Sequence, residues 1–173
     1  MPQLDLKALL SRFAATISQG SLGVVDHTPE TWARPMAFIQ NVLIKIQRDR
    51  GSALYGWVFL SRASLHGEYL IALHYSIWSP AGGIPPVDIN PFHEDPKFQP
   101  FCPTPGKVLF LADEAAQPKM IGQAVSPLPS RFFAATDDPG LVAYVEQLNV
   151  DEQTHFARLG EDSFSTPGSQ RTH

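Results

Sequence analysis

The stretch Glu68-Tyr69-Leu70-Ile71-Ala72-Leu73-His74-Tyr75-Ser76-Ile77-Trp78-Ser79 decides the fold class. Successive side chains of an extended chain point to opposite faces. One face carries Tyr69, Ile71, Leu73, Tyr75 and Ile77, which are bulky and suited to a core. The other carries Leu70, Ala72, His74, Ser76 and Trp78. Such period-two patterning, rich in aromatic and β-branched residues, predicts a strand. Ala53 to Ser61 (ALYGWVFLS) gives the same signal, and a short turn around His66-Gly67 joins the two as antiparallel neighbours.

Outward from this pair, Ile84 to Asn90 predicts a third short strand after the Pro80-Ala81-Gly82-Gly83 turn. Residues 91–105 hold five prolines and predict a long loop. Lys107 to Ala112 (KVLFLA) is a fourth strand, and Met120 to Val125 a candidate fifth. Upstream, Leu6, Leu9, Leu10, Phe13 and Ile17 recur at helical spacing, and Gly20 and Gly23 end that helix. A loop is expected through Val24-Val25-Asp26-His27-Thr28-Pro29. A second helix runs from about Glu30 or Pro35 to Arg48, with Phe38, Ile39, Val42, Leu43 and Ile46 as one stripe. Pro35 suits its first turn. A last helix begins near Leu141 and continues to Leu159. The expectation is α+β, with helices packed on one face of a mainly antiparallel four- to five-stranded sheet. One domain covers 1–159, and the polar stretch 160–173 is expected to be a disordered tail.

Composition sets limits on function. Of 173 residues, 43% are hydrophobic and only 17% charged, which excludes wholesale disorder. No apolar run approaches the ~18 residues of a membrane span. Charge runs from +2 over residues 1–50 to −4 over 114–173, for a formal net charge of −4. That lacks the basic stripe with which a protein displaces counterions from nucleic acid, so neither nucleic acid nor membrane is an expected partner. Cys102 is the single cysteine, so no internal disulfide and no Cys-x-x-Cys zinc site can form. With no basic-then-apolar leader after Met1, a reducing, cytoplasmic location is the default.

Two residues stand out chemically. His74 sits between the small residues Ala72 and Ser76, which leave room above an imidazole. Asp88 lies in the apolar run Val87-Asp88-Ile89, where the next antiparallel strand returns. Neighbours on paired strands can share a face. A carboxylate on one ring nitrogen fixes the tautomer of a catalytic histidine. The bland alternatives are a histidine satisfied by a backbone carbonyl and a carboxylate capping the Asn90-Pro91 turn.

The order of these residues resembles the transglutaminase-like and papain-like cysteine enzymes. There a helix start carries the nucleophile, a strand supplies His followed closely by Trp, and the next supplies Asp followed closely by Pro. The matching positions are His74-Tyr75-Ser76-Ile77-Trp78 and Asp88-Ile89-Asn90-Pro91, and the resemblance covers roughly residues 30–113. The helix start reads Pro35-Met36-Ala37-Phe38-Ile39-Gln40-Asn41, without Cys or Ser, so the resemblance implies a base and its orienter without a nucleophile. It implies a peptide- or protein-binding module, with Trp57, Phe38 and Trp78 beside His74 and Asp88, and no cofactor. An active hydrolase or acyl transferase would need Cys102, Ser52 or Ser76 as nucleophile. A metal-dependent enzyme would draw on His74, Asp88, His93 and Glu94, whose types suit iron or zinc but whose spacing lacks a tight ligand pattern. Gly82-Gly83 lacks the lysine and following helix of a phosphate-binding loop.

Overall fold

The computed structural model describes residues 6–121 and 124–162. The chain runs α1 (Leu6–Ile17), β1 (Leu22–His27), α2 (Phe38–Asp49), β2 (Ser52–Ser64) and β3 (Gly67–Ser79). It continues through β4 (Val87–Asp88), β5 (Lys107–Ala112), β6 (Lys119–Ile121), β7 (Ala124–Ser126), β8 (Arg131–Ala134) and α3 (Pro139–Asp162). The chain is α+β. Its sheet closes on itself as a five-stranded barrel in the order β2-β5-β1-β4-β3, with β3 returning to β2. The strands are antiparallel neighbours except β1 and β4, which run parallel through Asp26↔Val87 and His27↔Asp88. β8 adds to the outside of the ring along Tyr69–Ala72 of β3.

Closure explains why β3 is apolar on both faces. Val58, Leu60, Tyr75, Ile77, Val108 and Phe110 fill the interior, with Val25 of β1 beside them. The alternate residues Trp57, Phe59, Leu70, Ala72 and Leu111 form an outer wall that Leu9, Leu10, Phe13 and Ala14 of α1 cover. Phe13 meets Phe59 edge-on at 5.6 Å and stacks on Phe133 at 5.0 Å. Among the described residues, no helix is long and apolar enough to cross a membrane.

Four features depart from the expectation. Val24 to His27 belongs to β1, not to a loop: Val25 packs inward and Leu22 outward, which is the strand alternation at work. Arg131–Ala134 is a strand that the sequence did not announce, and the Met120–Val125 strand is a two-stranded hairpin, β6 and β7, outside the barrel. The last helix runs to Asp162, past the Leu159 boundary. The tail expected after it lies, from residue 163, outside the described residues. α3 also protects the free edge of β8. The Asn149 side chain accepts from the Phe132 N–H and donates to its carbonyl, both at 3.0 Å, and Glu152 accepts from the Ser130 N–H at 2.9 Å. A side-chain amide thus takes the place of a pairing strand, which keeps the edge from recruiting another chain.

Closure depends on Gly56, where β2 pairs with β3 and β5 at once. A Cβ there would stand 2.0 Å from the Leu111 carbonyl oxygen, a backbone atom that cannot step aside. Gly56→Ala is expected to destabilise the protein by ~3 kcal/mol, at the upper end of overpacking effects. Urea unfolding checks this; a change below about 1 kcal/mol would mean that β5 is free to move away.

Candidate functional site

Asp88 stands where β1, β3 and β4 meet. Trp78 pairs with Val87, so the next residue, Asp88, falls on the face of Tyr75 and Ile77, inside the barrel. It is completely buried. Four donors converge on its carboxylate: His27 Nδ1 at 2.8 Å, the Tyr75 hydroxyl at 3.2 Å, the Asn90 N–H at 3.1 Å and Asn90 Nδ2 at 2.9 Å. Burial, and then the charge of Asp88, hold the Tyr75 hydroxyl well above its ordinary pKa, so it remains a donor. Asn90 also donates to the Ser76 carbonyl and accepts from Asn41, which clamps Arg34 through its backbone N–H and carbonyl. Among the described residues no buried side-chain nitrogen or oxygen lacks a partner. The network ties β1, β3, β4 and α2 together.

The partner of Asp88 is therefore His27, not His74. With Asp88 accepting, Nδ1 of His27 carries a proton, and in the neutral ring Nε2 then keeps its lone pair. Phe92 stacks on the ring at 3.8 Å and 15°, fixing its plane. Nε2 has no partner among the described residues and, since no buried polar atom is unpaired there, it reaches solvent. The sequence places His27 in an expected loop, whereas the structure puts it at the end of β1. The signal available was the apolar pattern of Leu22–Val25, which makes a strand and puts His27 in register with Asp88.

His74 lies one residue from Tyr75 and so faces the outer wall, away from Asp88. Its Nδ1 accepts from the Leu128 N–H at 3.0 Å, and Nε2–H donates to the Ala116 carbonyl at 2.8 Å. Burial lowers its pKa, with the Ala116 carbonyl and the charge of Asp113 opposing less strongly. The expected His74–Asp88 pair is thus replaced by a neutral histidine satisfied by the backbone. Trp57, its partner in register, is 3% exposed and donates to Asp113 at 3.1 Å. Phe38 packs on Tyr75, ring centroids 4.3 Å apart, on the Asp88 side. Trp78 donates to the Arg50 carbonyl, with Lys45 4.6 Å from its ring centroid, where α2 turns into β2. Trp57 and His74 thus belong to the outer wall, and Asp88 with Tyr75 to the interior.

Cys102 is half-buried, and burial followed by the nearby Asp88 charge raises its thiol pKa. That is the reverse of what activates a nucleophile. His93 accepts from the Asp95 N–H and meets Phe98 edge-on, apart from the Asp88 cluster. Among the described residues no group of three His, Cys, Asp or Glu stands close enough to hold a metal.

Cys102 does line a cavity of about 530 Å³. Leu6, Leu9 and Leu10 of α1 form one wall, Phe59, Leu60 and Leu70 of the barrel the second, and Pro96, Pro100 and Phe101 the third. Ser61, Glu68, Tyr69 and Gln99 are its polar lining. No protein-family model, curated protein or solved structure matches the chain.

Removing the Asp88 carboxylate leaves its donors without an acceptor inside the barrel. Asp88→Ala is expected to cost ~3–5 kcal/mol, as for a broken buried pair. Chemical denaturation measures it, and a loss under about 1 kcal/mol would show that water replaces the carboxylate.

Proposed function

We propose that the protein is a binding module whose cavity between α1, the barrel wall and residues 96–102 takes an apolar side chain of a peptide or protein segment. The observation that carries this is the cavity itself. Its 530 Å³ falls in the range of ligand sites, and mostly apolar walls with a few polar groups are what such sites use. Leu6, an exposed apolar side chain, lies in its wall. The binding surface then differs from the one around His74, Asp88 and Trp57.

The test uses an environment-sensitive dye, 1-anilinonaphthalene-8-sulfonate, displaced by short peptides containing Leu or Phe. Ser61 lines the cavity and is exposed, so Ser61→Trp fills the mouth without disturbing the core. Wild-type protein is expected to bind dye and release it to apolar peptides, and Ser61→Trp to bind at least about tenfold more weakly at unchanged stability. Equal binding by the two proteins would remove this reading.

A second reading rests on His27. Its Nδ1 is held by a buried carboxylate and its Nε2 faces solvent, the arrangement of a general base in acyl transfer. As a hydrolase, His27 would take a proton from water as it attacks an ester carbonyl, with Asp88 as orienter. The check is hydrolysis of p-nitrophenyl acetate: wild type should exceed His27→Gln by ~100-fold, a usual general-base contribution. A rate no greater than that of His27→Gln would exclude it.

A further inference from the structure

We propose that the strap carrying β6 and β7 is locked to the barrel by His74 at neutral pH and is released from its Leu128 end in mild acid. The strap leaves the barrel after Ala116 and returns at Leu128, and between them β6 and β7 form a two-stranded sheet of their own. Both ends are held by the same imidazole. Nε2–H donates to the Ala116 carbonyl at 2.8 Å, and Nδ1 accepts from the Leu128 N–H at 3.0 Å. Ala116 is buried, and Leu128 packs against the outer core.

Protonation affects the two ends differently. A proton on Nδ1 turns the acceptor for Leu128 into a donor facing another donor, so that bond is lost. The bond to Ala116 survives, because Nε2 donates in both states. The titratable groups facing the ring are Tyr55 of β2, centroids 6.2 Å away, and Asp113, just past β5. Asp113 favours the imidazolium, but burial outweighs it and lowers the His74 pKa. The locked strap therefore binds a proton less readily than the released one. Its advantage is complete above the ordinary imidazole value of about 6.5. It is lost as pH falls below that, by roughly tenfold in the locked-to-released ratio per pH unit, until the lowered value is passed.

The experiment is amide hydrogen exchange by NMR on the full chain from pH 7.5 to 4.5, corrected for intrinsic rates. Protection of the Leu128 amide should fall at least tenfold, at the pH where the His74 ring nitrogens report protonation, while Val58 and Tyr75 in the barrel stay protected. His74→Gln supplies a donor and an acceptor but does not titrate, and should abolish the pH dependence. A flat profile at Leu128 would overturn the proposal. So would parallel loss at Val58 and Tyr75, which means global unfolding, or an unchanged profile in His74→Gln.

Discussion

A strand buried on both faces must give every polar side chain it carries a hydrogen-bond partner, and this constraint on β3 organises much of the molecule. Three consecutive polar residues occupy its buried second half, and each ties down a different element. His74 faces outward and holds the backbone on both sides of the β6–β7 hairpin. The Tyr75 hydroxyl points inward and donates to Asp88, which in turn anchors β1 through His27. Ser76 donates to the Phe38 carbonyl at 3.0 Å, fixing the start of α2, while its own carbonyl accepts from Asn90. The strand works as a hub because its alternation sends neighbouring residues in opposite directions.

The sequence made much of the fold legible. Helical spacing locates α1 and α2, each of which buries one stripe, and β2, β3 and β5 stand out as runs rich in aromatic and β-branched residues. The barrel was not legible. A strand apolar on both faces reads the same in a two-layer sheet as in a closed ring, and closure rests on Gly56 letting β5 approach, a contact that no local pattern records. β1 is not legible because Gly20 before it, Gly23 within it and Pro29 after it frame Val24–His27 as a loop. β8 was missed because four residues are too few for a periodic signal, and its edge is completed by Asn149, far along the chain.

The candidate site shows the same boundary between local and non-local information. Asp88 was legible as a carboxylate in an apolar run, which is where a buried charge needs a partner. The partner was not legible. His74 and His27 were both available, and the choice turns on a one-residue register: with Trp78 opposite Val87, Asp88 shares a face with Tyr75 and not with His74. The parallel pairing of β1 with β4, which brings His27 alongside, joins segments some sixty residues apart. The two histidines therefore exchange roles. One is sealed and neutral with both nitrogens spent on the backbone, and the other keeps a nitrogen for solvent.

The cavity follows from how far β2 and β5 can stay paired. They pair only from Gly56 to Val58, after which β2 continues along β3 alone. Residue Phe101 fills the gap that opens: its N–H donates to the Phe59 carbonyl at 2.6 Å, and its carbonyl accepts from the Leu109 N–H at 3.1 Å. It acts as one rung of the missing ladder. Prolines at 100 and 103 lack the N–H groups that would extend it, so the segment cannot become a sixth strand and lie flush against the barrel. Standing off the wall, residues 96–102 leave with α1 the space that the cavity occupies, and the proline-rich stretch thus shapes one wall of it.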